Sequence, residues 1–139
     1  MGCIRTAVAV EPDREVCGLL LGAGNAIVAA EPCRNVAADP ATRFEIDPVA
    51  LLAAHRRARA GGPGIVGCYH SHPAGRADPS PRDAADAAAD GAIWLIAIDD
   101  EVRAWRAVPD GALHGRFDPL ALHCEAGAAS TALMNEENR

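Results

Sequence analysis

Two histidines one residue apart, His70 and His72, stand at the end of an apolar run, Gly64-Ile65-Val66-Gly67-Cys68-Tyr69, that reads as a strand buried on both faces. Strand side chains alternate faces, so residues two apart project to one side and both imidazoles can reach a single metal ion. A third ligand is available in Asp83, in the first turn of a helix expected from Ser80-Pro81, beyond a loop punctuated by Pro73, Gly75 and Pro79. Two imidazoles and a carboxylate leave a fourth tetrahedral position for water, the layout of a catalytic rather than a structural zinc site. Nitrogen and oxygen donors without thiolates favour one Zn2+ per chain, although iron, cobalt and manganese suit the same ligands. Hydrolysis at such a centre also needs a general base and an oxyanion donor. Glu15, a lone acid just before a buried strand, is the candidate base, because burial would raise its pKa into a useful range. Ser80, at the mouth of the loop and three residues from Asp83, is the candidate oxyanion donor.

Each residue also has a purely structural account. Ser80 and Asp83 form S-x-x-D with Pro81 at the first helical position, the pattern of a capping box. An H-x-H pair can sit at a solvated strand end, and Glu15 can be a surface residue. These accounts do not imply one another, whereas a metal centre requires all of them together. His55, beside Arg56 and Arg57, reads as solvated surface, and His114 and His123 lack a companion at chelating spacing.

The elements that must position these residues follow from the apolar pattern. Val16 to Leu21, flanked by Gly22 and Gly24, is a buried strand, and Asn25 to Ala30 pairs back on it as a hairpin. Arg43 to Ile46 is a candidate third strand. Asp47 then caps a helix with Pro48 at its first position, which Gly61-Gly62-Pro63 ends. The alanine-rich helix begun by Ser80-Pro81 is expected to run to Gly91. Ile93 to Ile98 and Glu101 to Val108 form a hairpin about a tight turn at Asp99-Asp100, and Leu113 to Leu122 adds a strand and a short turn of helix. The expectation is α/β with α+β character, as one domain over 1–125, with 126–139 a C-terminal tail that is mobile or a short helix docked on a neighbour.

With 139 residues, half of them apolar, the chain has room for one core. Its 13 basic and 19 acidic residues give −6 with neither sign in a block, which speaks against nucleic-acid or anionic-membrane surfaces as partners. Five scattered cysteines without a C-x-x-C pair suggest neither a disulfide framework nor a thiolate zinc site, and Cys17 and Cys68 read as small core hydrophobes. No apolar run approaches the ~20 residues that span a bilayer and no signal-peptide pattern opens the chain, so a soluble cytoplasmic protein is expected.

The stretch from His70-Ser71-His72-Pro73 to Pro79-Ser80-Pro81-Arg82-Asp83 resembles the H-x-H-P…P-S-x-x-D motif of the JAMM (MPN-domain) metalloproteases, and Glu15-Val16-Cys17-Gly18-Leu19-Leu20-Leu21-Gly22 resembles their upstream E-x-C-G-L-L-x-G segment. The resemblance runs from about residue 13 to about residue 107. It implies a mixed, curved sheet flanked by helices, of the cytidine-deaminase-like kind. Zinc would be held by His70, His72 and Asp83, with Glu15 polarising water and Ser80 contacting the oxyanion. The short loop from His72 to Ser80 leaves little room for the insertions with which eukaryotic members grip ubiquitin. The chain is closer to compact prokaryotic members, which remove groups from the Gly-Gly tail of small ubiquitin-like sulfur-carrier proteins. Such a tail could add as a strand at an exposed sheet edge. Family members of this size begin with a strand and a full helix, whereas 14 residues precede Glu15 here, Pro12 among them. An open sheet edge is therefore expected, to be covered by the substrate or by a second copy in a homodimer. Two alternatives belong to other classes. Metal-free MPN scaffolds lack the ligand set that this chain keeps. RadC-like proteins share H-x-H-P…P-S-x-x-D, but Ser71, the E-V-C-G-L-L-L-G segment and the acidic charge favour the peptidase branch.

Overall fold

The computed structural model describes residues 13–73, 75–98, 101–124 and 131–135. Strand β1 (Cys17–Ala23) turns back into β2 (Ala26–Cys33), with Gly24 at φ +58 supplying the positive φ that a two-residue hairpin turn requires. Helix α1 (Pro48–Arg59) follows, its Asp47 carboxylate accepting from the Val49 amide at 3.0 Å, and it leads to β3 (Gly64–Ser71). Helix α2 (Pro81–Asp86), β4 (Ile93–Ile98), β5 (Glu101–Gly111), β6 (Gly115–Cys124) and β7 (Thr131–Asn135) complete the order. The strands hydrogen-bond as β1-β2-β7-β6-β5-β4-β3, with β3 back on β1, so the sheet curls into a closed barrel. Only β3 and β4 run parallel, joined by a crossover through α2, which makes the sheet mixed as expected.

Alternation along the strands explains the continuous apolar runs. Leu20, Tyr69, Ile93, Leu95 and Ala97 fill the barrel with Ala104 and Leu120. Their neighbours face outward: Leu19 and Leu21 lie under Ala54 of α1, and Trp94 and Ile96 pack with Trp105, Phe117 and Ala87 beside α2. Both faces are covered, so neither can be polar. Gly67 sits where β3 meets β4, and a Cβ there would stand 1.8 Å from the Ile93 carbonyl oxygen. Backbone on a central strand cannot yield cheaply, so Gly67→Ala should cost about 3 kcal/mol or more. Urea unfolding at an unchanged m-value checks this.

Four expectations are corrected. Arg43 to Ile46 forms no strand beyond a single bridge between Asn35 and Ile46, because the Asn35 amide takes the Glu45 N–H and the Arg43 carbonyl. The alanine-rich helix stops at Asp86 instead of reaching Gly91. Ala87 turns extended and packs beside Trp94, while the Gly91 N–H bonds the Ala107 carbonyl and the Ala107 N–H bonds that of Ala92, drawing this stretch toward β5. In place of a helical turn after Leu113, His114 and Gly115 take positive φ and return the chain directly into β6. Finally, residues 131–135, drawn from the segment read as a tail, form a strand that pairs with β6 over its whole length and with β2 at Ala26 and Ile27. The turn at Asp99-Asp100 and the residues before Asp13 lie outside the described residues. Among the described residues no helix is long and apolar enough to cross a membrane.

Candidate metal centre and its cleft

The C-terminal end of β3 delivers His70 and His72 to the barrel rim, their Nε2 atoms 3.0 Å apart. Asp83, third residue of α2, brings its Oδ2 to 3.1 Å from each. The same oxygen accepts the Ser80 N–H at 2.9 Å while Ser80 Oγ accepts the Asp83 N–H at 3.0 Å. The capping box is therefore real, and it is also the device that aims the carboxylate at the imidazoles. Three lone-pair donors at the corners of a triangle with 3.0 to 3.1 Å edges fit a small divalent ion. A tetrahedral zinc with bonds of about 2.0–2.1 Å spaces its donors about 3.3–3.4 Å apart, so a few tenths of an ångström of relaxation suffices. Burial holds the Cys17 thiol up at about 12 and pushes that of Cys68 higher still, which fits the reading of both as small core hydrophobes.

The two imidazoles are held differently. His72 Nδ1 lies 2.7 Å from the Arg76 carbonyl oxygen, which only accepts, so Nδ1 carries the proton and Nε2 offers its lone pair. His70 is fully buried and held by packing, stacked on Phe44 at 4.3 Å and edge-on to Trp94. Burial lowers the His70 pKa against the pull of Asp83, keeping the ring neutral and ready to ligate. Burial acts the same way on His72, but the Asp83 carboxylate, the Arg76 carbonyl and Glu15 outweigh it, and His72 stands above its ordinary value. Asp83 resists burial through its hydrogen bonds to both imidazoles and to the Ser80 amide, which hold it well below the usual carboxylate range. Metal uptake must then displace a proton from His72, so zinc affinity should fall about tenfold per pH unit below the raised His72 value. Competition titrations between pH 7.5 and 5.5 check the slope; a flat profile would contradict it.

Glu15 is buried, 5 % exposed, with a carboxylate oxygen in a group that also holds one nitrogen each of His70 and His72, all within 4.8 Å of one another. Its backbone is pinned on both sides: the N–H donates to the Pro40 carbonyl at 2.6 Å and the C=O accepts from Asn35 Nδ2 at 2.9 Å. Oε1 is buried without a hydrogen-bond partner. Burial, partly offset by His72, raises the Glu15 pKa to about 7. The Asp83 and Glu15 carboxyls are thus pushed apart, one held as an anion and the other raised to near neutrality. A cleft of about 490 Å³ opens between Glu15, His72, Pro73, Ser80 and the Ala41–Thr42 wall. Ser80 Oγ accepts one bond and still has a proton to donate into this space. A separate cavity of about 570 Å³ between α1 and residues 86–92 is mostly apolar and holds none of the five side chains named from the sequence.

All five of those side chains meet at this rim. Their supports leave no sign in the sequence. The Ser71 hydroxyl accepts the Val16 N–H at 2.9 Å and ties the Glu15 segment to β3, and the Asn35 amide anchors the 36–46 loop. His114, without a companion in sequence, reaches the Pro79 carbonyl at 3.1 Å. None of these contacts leaves a motif, because each joins a side chain to a distant backbone group.

The family model for prokaryotic homologs of the JAB domain (Prok-JAB) matches residues 3–108. The desampylase of Haloferax volcanii is 38% identical over 98 residues, 69% of this chain and 70% of that protein. The desampylase of Pyrococcus furiosus is 36% identical over 92 residues, 66% and 65% of the two chains. A probable TtuB-protein conjugate cleaving protease of Thermus thermophilus is 45% identical over 56 residues, a match that spans only 38% of that protein. Among solved structures, a protein of Desulfitobacterium hafniense superposes with a TM-score of 0.64 at 28% identity, over 84% of this chain and 79% of that one. A protein of Salinibacter ruber gives 0.61 at 26% identity, over 91% and 89%. With a matching model over most of its length, a closed rim that gathers the motif residues and these relatives, the chain belongs to the Prok-JAB family, the prokaryotic JAMM-type peptidase domains.

Proposed function

We propose that this protein is a cytoplasmic zinc-dependent isopeptidase that hydrolyses the amide bond at the Gly-Gly C-terminus of a ubiquitin-like sulfur-carrier protein. The observation that carries the proposal is the meeting of His70, His72 and Asp83 at one point beside a buried Glu15 whose carboxyl burial raises to about 7. Relatives named for desampylation and for cleaving a protein conjugate support the substrate class. When bound by His70, His72 and Asp83, zinc supplies a Lewis acid that polarises a carbonyl and acidifies water.

The chain's own residues do the rest. Glu15, with a pKa near neutrality, takes a proton from the attacking water and passes it to the departing lysine amine. Ser80 donates its hydroxyl proton toward the oxygen on which negative charge develops, and the capping bond from the Asp83 amide fixes where that hydroxyl sits. A Gly-Gly tail presents no side chains, so it can lie extended along the cleft between the Ala41–Thr42 wall and Pro73.

A carrier protein joined through its terminal glycine to a lysine side chain tests the proposal, with products identified by mass. The expected products are the carrier ending in Gly-Gly with a free carboxylate, and the free amine, in the zinc-loaded protein but not after chelation. Cleavage elsewhere in the carrier, or at full rate in the presence of chelator, would contradict it.

A further inference from the structure

We propose that the β5–β6 hairpin is the outer support of the metal loop, with Trp105 and His114 acting as positioning residues for His72. The inference rests on the metal role given above to His70, His72 and Asp83. Between His72 and Asp83 the loop offers three backbone carbonyls in close succession, each met by a ring nitrogen. The Arg76 carbonyl takes His72 Nδ1 at 2.7 Å, that of Ala77 takes the Trp105 indole N–H at 3.1 Å, and that of Pro79 takes His114 Nε2 at 3.1 Å. A carbonyl only accepts, so all three rings must donate. The Trp105 and Ala77 bond is buried, both residues being 5 % exposed or less, so water cannot replace it. That bond fixes the peptide plane next to the one whose oxygen selects the His72 tautomer. Asp78, between the two clamped carbonyls, accepts from the Arg103 guanidinium, which itself lies over the Trp105 ring at 5.0 Å. The hairpin thus grips the loop at 77, 78 and 79, and His72 is aimed from a strand that supplies no ligand.

Trp105 also packs with Trp94 and Phe117, so a plain packing role is the competing account. The two separate in zinc affinity measured on the metal-free protein with zinc alone as probe. Trp105→Phe keeps an aromatic ring and removes the N–H; it should weaken zinc binding about 10- to 100-fold, the usual effect of losing a group that orients a ligand. Leu120→Ala, in the barrel interior of the same hairpin and away from the loop, should lower the melting temperature yet leave zinc affinity within about twofold. A Trp105→Phe protein that is folded and binds zinc like the parent would overturn the proposal, as would an equal loss in Leu120→Ala. Should Trp105→Phe not fold, His114 decides, since its side chain is exposed. His114→Ala should weaken binding severalfold and His114→Gln, which keeps a donor, should restore it; unchanged affinity in His114→Ala would overturn the proposal. A parent protein that binds no zinc at all would instead remove the metal centre, a distinguishable failure.

Discussion

Replacing Glu15 by glutamine should lower hydrolysis by about 10²–10⁴-fold while leaving one zinc in place, because the variant keeps the shape of the side chain and removes only its capacity to accept a proton. Glu15 is expected to contribute proton transfer and not ligation: its carboxyl is raised to about 7, whereas that of Asp83, beside the same imidazoles, is held far below its usual range. A second consequence concerns stability. In the folded metal-free protein the carboxyl holds its proton up to about pH 7, against an ordinary value of 4.5 in the unfolded chain. Ionised Glu15 therefore works against folding, with a cost absent below pH 4.5 that grows as pH rises toward 7 and then levels. The metal-free Glu15→Gln protein should be more stable than the parent by roughly 1–3 kcal/mol at pH 8 and nearly equal to it at pH 4.5. Chemical denaturation at the two pH values, in chelator, reads the difference. Equal stability at both would mean that the carboxyl is not burdened by burial, and a fully active Glu15→Gln protein would remove it from the reaction.

Asp83→Asn should produce the opposite pattern, loss of metal first and of hydrolysis as a result. One oxygen, Oδ2, caps the α2 N-terminus through the Ser80 amide and faces both imidazoles at 3.1 Å. Asparagine retains an oxygen for the cap, so the helix start should persist, but it removes the only anionic donor of the set. Losing a group that merely orients a ligand weakens metal binding about 10–100-fold, and losing the charged ligand should exceed that. Zinc per chain after dialysis against buffer should fall well below that of the parent, and turnover with it, whereas Glu15→Gln should retain its metal and lose turnover alone. If Asp83→Asn kept full zinc and Glu15→Gln lost it, the two carboxylates would have to exchange roles.

How much of this was legible in sequence depended on whether a residue acts locally. The runs 16–21, 64–69 and 93–98 announced buried strands because both of their faces are covered, and Asp47-Pro48 announced α1 because a cap and a proline act within one turn. The meeting of His70, His72 and Asp83 was legible because a ligand set of those residue types requires them to converge. What stayed hidden were the bonds that join distant segments. Asn35 reads as a turn residue, yet its amide occupies the hydrogen-bonding groups of Arg43 and Glu45 that a third strand would have used. Alanine propensity favoured helix through Gly91, and burial of Ala87 beside Trp94 overrode it. Trp105 carries no motif and His114 lacks a companion at chelating spacing, so neither stands out until the loop carbonyls that they meet are located.

The most direct test is a titration of the chelator-stripped protein with zinc, following release of a carrier protein from a lysine-linked adduct at each addition. Activity should rise linearly and break at one zinc per chain in the parent, with no rise in Glu15→Gln despite the same uptake of metal. Full activity in the stripped protein before any zinc is added, or a break at a different ratio, would contradict the assignment of a single catalytic ion to His70, His72 and Asp83.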